Sequence, residues 1–379
     1  MSAGARRPGR ARRRADDATA ALFGAEAPEG AEATEESGEP ADLRAGSALV
    51  AGIDEAGLGP LLGPLTLGAC ALRVPARTLD PWRALAGVVS PRIEDDDEQL
   101  VVADSKVVFT RNARGARRLE RTVLAFATLA GGPRAVATSG RALLRQLEAD
   151  LGAPDGIEDE FWVSELDAAL PRHGARDELE ATVDRLARAL AEARIELAWL
   201  AARTVPVRAL NASFAATDNK SRSHWLETRR LLEHLWLRFG ADPEAPLEVV
   251  VDRQGGRMHY AAALEEAFPR ARVVTVRETT PLSQYVVEEA ATSRHSARRM
   301  RLAFREKAER ASFAVALASC CAKHARELSM DAFNAWFARL DPTLTPTAGY
   351  VEDGRRWLVD AEAVLARAGI ERAALVRSR

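Results

Sequence analysis

The stretch ALVAGIDEAGLGPLLGP, residues 48–64, decides how the rest of the chain is read. Residues 48–53 form a short apolar run of the kind a buried strand makes. Asp54 and Glu55 follow at once. Behind them come Gly57, Gly59, Pro60, Gly63 and Pro64, a turn-rich segment. A second apolar run, 65–74, reads as the returning strand, so the two predict an antiparallel hairpin of long strands. Side chains alternate along a strand, so Asp54 and Glu55 converge only if the strand stops there. The Gly57-Leu58-Gly59 turn lets backbone approach a phosphate, but no Gly-Lys-Ser/Thr follows and it is not a P-loop.

Further along, 247–251 reads as another buried strand, closed by Asp252 with Gly255-Gly256 behind it. Acids at the ends of neighbouring strands repel and raise each other's pKa. A divalent cation with a taste for hard oxygen ligands removes that cost. A pair of such ions can activate water and stabilise the leaving oxygen of a phosphodiester. Taken alone, Asp252 is equally an Asx-turn former.

The remaining elements follow from pattern. Residues 94–98 are an acidic loop, and 100–103 lead into Asp104-Ser105-Lys106. Thr110 is predicted to cap a helix over 111–129, whose Arg114, Arg117, Arg118 and Arg121 form one stripe, either a basic surface or a solvated face. Residues 132–195 read as an inserted helical segment and 195–201 as a strand. A polar loop at 219–223 precedes a helix over 225–239. A strand is expected at 272–278, and 284–287 with 301–304 as an added hairpin. The hairpin insertion, 279–300, carries Arg294, His295, Arg298 and Arg299, with Arg301 just beyond, either a flap supplying phosphate contacts or a solvated tip. A helix is expected over 311–340, then a turn and one more helix. Strands separated by helices after a leading hairpin predict an α/β sandwich, a mixed sheet flanked by helices.

Composition sets the limits. The chain has 379 residues, 47% hydrophobic and 28% charged, the make-up of a globular protein. Its net charge of −2 excludes nucleic-acid binding by bulk charge, so any polyanion site is local. No apolar run reaches the roughly 20 residues that span a bilayer, so no membrane partner is expected. Three cysteines, two of them adjacent at Cys320-Cys321, build no disulfide framework or metal site and fit a reducing, cytoplasmic compartment. Residues 1–46, Arg-rich then acidic, read as a disordered tail; Asp16-Asp17 stands where a signal peptide needs its apolar region. The 53 basic residues include only four lysines, Lys106, Lys220, Lys307 and Lys323, so each lysine marks a place to look.

The opening motif, 51–64, resembles that of the type 2 ribonucleases H (ribonuclease HII and its relatives). Val102-Ala-Asp-Ser-Lys106 resembles the family's D-S-K motif, and Val249-Val-Val-Asp252 the strand of its third acid. Glu306-Lys-Ala-Glu309 resembles its K-A-D segment, 318–327 its A-S-x-x-A-K-x-x-R-D helix, and Ala348-Gly-Tyr350 its K-G-Y motif. The motifs keep the family's order over about 50–130 and 195–379, and three of the four lysines fall inside them.

The resemblance implies a ribonuclease H-like fold over 47–340 with a C-terminal helical extension, 341–379. It implies a substrate class of RNA–DNA hybrids or ribonucleotide-containing duplex DNA, cut with Mg2+ or Mn2+; a monomer is expected. Asp54, Glu55, Asp252 and Glu309 would be the catalytic metal ligands. Lys106 would meet a phosphate, and Tyr350 would pack on the sugar and base while Gly57, Leu58 and Gly59 read the 2′-hydroxyl, the group that tells RNA from DNA. Ser319, Lys323 and Arg326 would either touch substrate or fix the helix beside the site. The chain departs from the pattern at Leu58, where the family has arginine; at Glu309 and Glu327, where it has aspartate; and at Arg253-Gln254, which separate Asp252 from its glycines. Leu58 and the insertions leave two other classes open: a hybrid-binding or scaffold member with weakened catalysis, or a nuclease of the same fold with another duplex substrate.

Overall fold

The computed structural model describes residues 46–75, 80–93, 98–130, 136–152 and 156–378. The expected tail (apart from Gly46) and residues 94–97 of the acidic loop lie outside them.

The opening hairpin forms as its sequence predicts. β1 (Ser47–Ala56) pairs antiparallel with β2 (Leu65–Pro75). On its other side β1 runs parallel to β6 (Leu247–Asp252), with Ile53 opposite Val251. β6 in turn runs parallel to β9 (Arg298–Arg305). Three antiparallel strands complete the sheet: β5 (Glu196–Val205) beside β2, then β8 (Leu282–Glu289) and β7 (Arg272–Glu278) beyond β9. The result is a seven-stranded mixed sheet in the order β5-β2-β1-β6-β9-β8-β7. The short strands β3 (Val89–Ser90) and β4 (Leu100–Val101) pair separately, in parallel. The expected hairpin at 284–304 does form, but its second strand belongs to the central sheet, because β9 pairs with both β8 and β6.

Helices cover both faces, which is why β1 and β6 read as continuous apolar runs. Ala48, Val50, Cys70 and Leu72 face the long helix Phe313–Leu340. Leu49, Ala51, Ile53 and Val249 share the opposite core with Leu231 and Leu235 of helix Lys220–Phe239. The long helix lies unusually close to the sheet. A Cβ on Gly52 would stand 2.2 Å from the Val315 nitrogen, and one on Gly68 2.0 Å from the Ala318 carbonyl oxygen. The Ala/Ser/Cys composition of that helix is the other half of this close fit, with Cys320 and Cys321 buried as small core residues.

The inserted segment is not a separate body. Leu143, Leu147, Leu166 and Leu186 join the same core as the long helix. Phe161 meets Trp336 edge-on at 4.6 Å between ring centroids, and Phe337 meets Trp357 at 4.7 Å. Those rings bind the insertion and the C-terminal segment to one side of the molecule. The C-terminal segment forms three helices where one was expected: Val351–Asp360, Glu362–Ala368 and Arg372–Leu375.

Local chemistry moves several predicted boundaries. The helix after Thr110 is Ala113–Leu129 and its cap is Asn112, whose side chain accepts from the Gly115 amide. The expected polar loop at 219–223 is the first turn of helix Lys220–Phe239, with Asn219 accepting from the Arg222 amide. Helix Val207–Thr217 was not foreseen. The arginine stripe is largely spent on structure: Arg117 pairs with Glu178 at 2.7 Å, Arg118 donates to the Val108 carbonyl and Arg121 to that of Gln99. The β8–β9 connection with its basic cluster sits at the N-terminal end of β9, opposite the end of the parallel strands that carries Asp54 and Asp252. It cannot be a flap over those acids. His295 and Arg298 turn instead toward Glu289, at 3.5 and 3.8 Å. Among the described residues, no helix is long and apolar enough to cross a membrane.

Candidate active site

Parallel pairing of β1 with β6 decides the site. Ile53 lies opposite Val251, so the next residues, Asp54 and Asp252, come to adjoining strand ends. β1 does not stop at Asp54; it continues to Ala56, so the two neighbouring acids do leave on opposite faces. Asp54 goes to the long-helix side, where Ser319 hydrogen-bonds its carboxylate. Glu55 goes to the other side, where its Oε2 lies 3.6 Å from Nε2 of His224. Asp252 nevertheless acts electrostatically on both, as the raised acidities of Asp54 and Glu55 record. Because the strand runs on past Asp54, the two adjacent acids stay on opposite faces, and Asp252 acts on both from the end of the neighbouring central strand.

Glu309 arrives by a different route. β9 leaves the sheet beside Asp252 and turns through Lys307, whose φ is 55°, into the short 3-10 helix Ala308–Arg310. The Ala308 amide donates to Asp252 Oδ1 at 3.0 Å, which ties this turn to the third acid. The insertion of Arg253-Gln254 after Asp252 has a structural purpose. The Arg253 guanidinium donates to Ser283 and to the Thr279 carbonyl and meets Glu306 at 3.2 Å, while the Gln254 side chain donates to Thr228. Both residues are buried and pin the loop to its surroundings.

Burial is the first cause of the shifts at all four acids. Asp54 is held well above the usual carboxylate range by burial, then by Glu55 and Asp252. Glu55 is pushed up to about 7 by burial and Asp252, against the opposing pull of Lys106. Asp252 and Glu309 are also raised, each in part by Asp104. His224 gives no relief, because burial and Lys220 hold it neutral, down to about 4. The cluster is therefore a group of half-buried carboxylates with Lys106 as the cation that acts on Glu55 and Asp252, and such oxygens are the donor chemistry of a hard divalent ion. As the side chains stand, no three His, Cys, Asp or Glu among the described residues form a closed ligand group.

Lys106 begins from the short helix Ser105–Val108, whose cap is Asp104, and its side chain is exposed while its charge reaches Glu55 and Asp252. Ser319, Lys323, Arg326 and Glu327 recur on one face of the long helix. Ser319 is buried and bonds Ser105 at 3.0 Å as well as Asp54. Lys323 pairs with Glu327 and lies 4.6 Å over the Phe109 ring. Arg326 is buried against Gly57, at which a Cβ would stand 2.3 Å from its Nε; with φ of +85°, only glycine suits that position. Tyr350 is nearly half exposed, with the guanidinium carbons of Arg111 and Arg326 each 5.7 Å from its ring centroid. Gly59 is open to solvent, and Leu58 packs its side chain against the core.

Three neighbours of this site escaped the reading of the sequence: His224, Arg377 and the charge of Asp104. Asp104 stood within a quoted motif and was legible. His224 and Arg377 had no local signal, because only tertiary contact brings them in.

No protein-family model matches the chain, and no curated protein matches its sequence. Among solved structures the chain is similar to the ribonuclease HII of Archaeoglobus fulgidus, solved in complex with PCNA, at 14% identity over 87% of this chain and 94% of that one, with a TM-score of 0.37. It is similar to ribonuclease H2 of Pyrococcus horikoshii at 13% identity over 87% and 93%, with a TM-score of 0.41. It is similar to Bst-RNase HIII, solved with Mn2+, at 14% identity over 96% and 76%, with a TM-score of 0.39. At these identities and TM-scores the likeness assigns neither an activity nor a residue.

Proposed function

We propose that this chain is a metal-dependent endonuclease of the type 2 ribonuclease H kind. Its substrate would be the RNA strand of an RNA–DNA hybrid, or duplex DNA cut 5′ of a ribonucleotide. One observation carries the reading: Asp54 and Asp252, from two motifs nearly 200 residues apart, meet at adjoining ends of parallel strands, with Glu55 and Glu309 beside them.

Asp54, Glu55, Asp252 and Glu309 would hold Mg2+ or Mn2+, which when bound would supply a nucleophilic water and charge relief for the leaving oxygen. Ser319 orients the Asp54 carboxylate through its hydrogen bond. His224, kept neutral, brings no positive charge to Glu55 and so does not compete with an added cation. Lys106, exposed and within electrostatic reach of Glu55 and Asp252, suits a substrate phosphate. The half-exposed Tyr350 ring offers a face for a sugar and base, and the glycine turn offers backbone to the 2′-hydroxyl. Leu58 favours a second reading, a member of the same fold that binds hybrids without turnover, because leucine donates no hydrogen bond to a phosphate.

The test is a labelled DNA duplex with one ribonucleotide, alongside an RNA–DNA hybrid and an all-DNA duplex, in Mg2+, Mn2+ or EDTA. Metal-dependent nicking 5′ of the ribonucleotide, lost in Asp54→Asn, is the expected result. Binding without nicking by the wild type supports the second reading. Cleavage of all-DNA duplex as fast as hybrid overturns the substrate class.

A further inference from the structure

A cation is buried behind the glycine turn, and it comes from the far end of the sequence. Arg377 follows the short helix Arg372–Leu375 and is 3% exposed. Its guanidinium is given over to backbone carbonyls of the turn. Nε and Nη2 donate to the Gly63 carbonyl at 2.9 and 2.7 Å, and Nη1 donates to the carbonyls of Gly57 and Leu58. The backbone joins in: the Arg377 amide donates to the Leu61 carbonyl at 3.0 Å, and Val376 bridges Leu62. Asn211 fastens the segment from the other side, donating to the Val376 carbonyl at 2.9 Å and accepting from the Ser378 amide at 2.8 Å. Burial lowers Arg377 only to about 9, so it keeps its proton at neutral pH.

Covalent geometry turns this into a statement about the outer side of the turn. Among the described residues the only cis peptide is Leu170–Pro171, so the peptides joining Gly57, Leu58 and Gly59 are trans. In a trans peptide the carbonyl oxygen and the amide hydrogen point opposite ways. With the Gly57 and Leu58 oxygens both drawn to one buried nitrogen, the Leu58 and Gly59 amides are directed away from it. Two successive amides turned the same way make a concavity that suits an oxygen-rich ligand, with a buried positive charge behind it.

We infer that Arg377 is the positioning residue of the Gly57–Gly63 turn: it gathers the turn's carbonyls from inside and so presents the Leu58 and Gly59 amides to the ribose–phosphate backbone of the substrate. Where the motif carries an arginine at 58, this chain has a leucine, and a guanidinium organises the same turn from within. This rests on the proposed substrate-facing role of the turn. Arg326, packed on Gly57 and donating to the Leu62 carbonyl, supports the neighbouring part of the segment.

The test compares wild type, Arg377→Ala, Arg377→Lys and Asn211→Ala. Hydrogen exchange read by mass spectrometry over 57–63 is the readout that needs no activity. About tenfold faster exchange there in Arg377→Ala, with the sheet strands still protected, is expected; unchanged exchange overturns the clamp. On the duplex with one ribonucleotide, Arg377→Ala is expected to raise KM about tenfold or more with a smaller change in kcat. Millimolar methylguanidinium should recover part of the loss, while Arg377→Lys and Asn211→Ala fall in between. A KM equal to wild type, in an active enzyme with a loosened turn, overturns the positioning role. If wild type neither binds nor cuts any duplex, the functional reading fails, and the exchange result alone still decides whether Arg377 holds the turn.

Discussion

Two charged regions gather around neighbouring parts of β1 and the turn that follows it, and the fold treats them oppositely. The acidic one, Asp54, Glu55, Asp252 and Glu309, has the exposed Lys106 acting on it, with its nearest histidine held neutral. The basic one lies around Gly57–Gly63: all three Arg377 nitrogens donate to backbone carbonyls, and Arg326 donates to two through Nη2. Carbonyl dipoles can satisfy a guanidinium because its donors fan out in a plane. The carboxylates at the ends of the central strands accept single amides, Asp54 from Glu55 and Asp252 from Ala308, yet still raise one another's pKa. The comparison teaches that carboxylates gathered at strand ends raise one another's pKa, whereas the guanidinium beside them is spent on its own backbone.

The largest expected effect comes from breaking the acidic region. Asp54→Asn should lower metal-dependent cleavage by about 10³-fold or more, since a ligand and a charge go together. It should also stabilise the metal-free protein, because a repelling buried charge is removed. Thermal unfolding beside a cleavage assay checks both; a less stable variant that still cuts would show that Asp54 neither repels its neighbours nor serves the reaction.

Next comes the turn. Gly57→Ala puts a Cβ against Arg326 at a φ of +85° and should cost about 1–3 kcal/mol of stability together with the duplex-binding turn. Gly59→Ala meets nothing within 4 Å and should be nearly silent in unfolding experiments. Equal unfolding midpoints for the two variants would mean that Arg326 does not hold the turn.

The pH dependence of the metal-free protein gives a smaller effect. A carboxylate raised on folding contributes stability that is complete below its unfolded pKa and lost as pH rises through its folded one. For Glu55 the window runs from 4.5 to about 7. The unfolding midpoint without metal should therefore fall by several degrees between pH 5 and 8, and Mg2+ should recover more of it at pH 8 than at pH 5. A midpoint independent of pH and metal would remove the case for a cluster of mutually repelling carboxylates.

Smallest is the effect of restoring the surface cation. Leu58→Arg gives up the side chain's partial packing on the core and swings one positive charge toward solvent beside the turn. Duplex affinity should rise a few-fold at low salt, with a salt dependence steeper by about one ion. Unaltered affinity would show that substrate does not pass over residue 58.

The sequence determined much of this on its own. Residues 48–64 marked the hairpin and the first acids, and 247–252 marked the second acid-bearing strand, because a doubly covered strand must be apolar along its whole length and a charge can sit only at its end. What sequence missed or misplaced was set by contacts it does not encode locally. One cap moved two residues on, to Asn112, and another helix began five residues early, after Asn219, because these side chains were better placed than their neighbours to accept from the first helical amides. The arginine stripe at 114–121 looked like a surface and was partly interior, since a guanidinium is as content with a carbonyl such as that of Val108 as with water. Convergence of Asp54 with Asp252 required a choice of parallel register, and the arrival of Arg377 required three C-terminal helices to fold back across the chain. Local pattern reports what each segment must bury; only tertiary structure decides which buried ends meet, because that depends on how all the segments share one core.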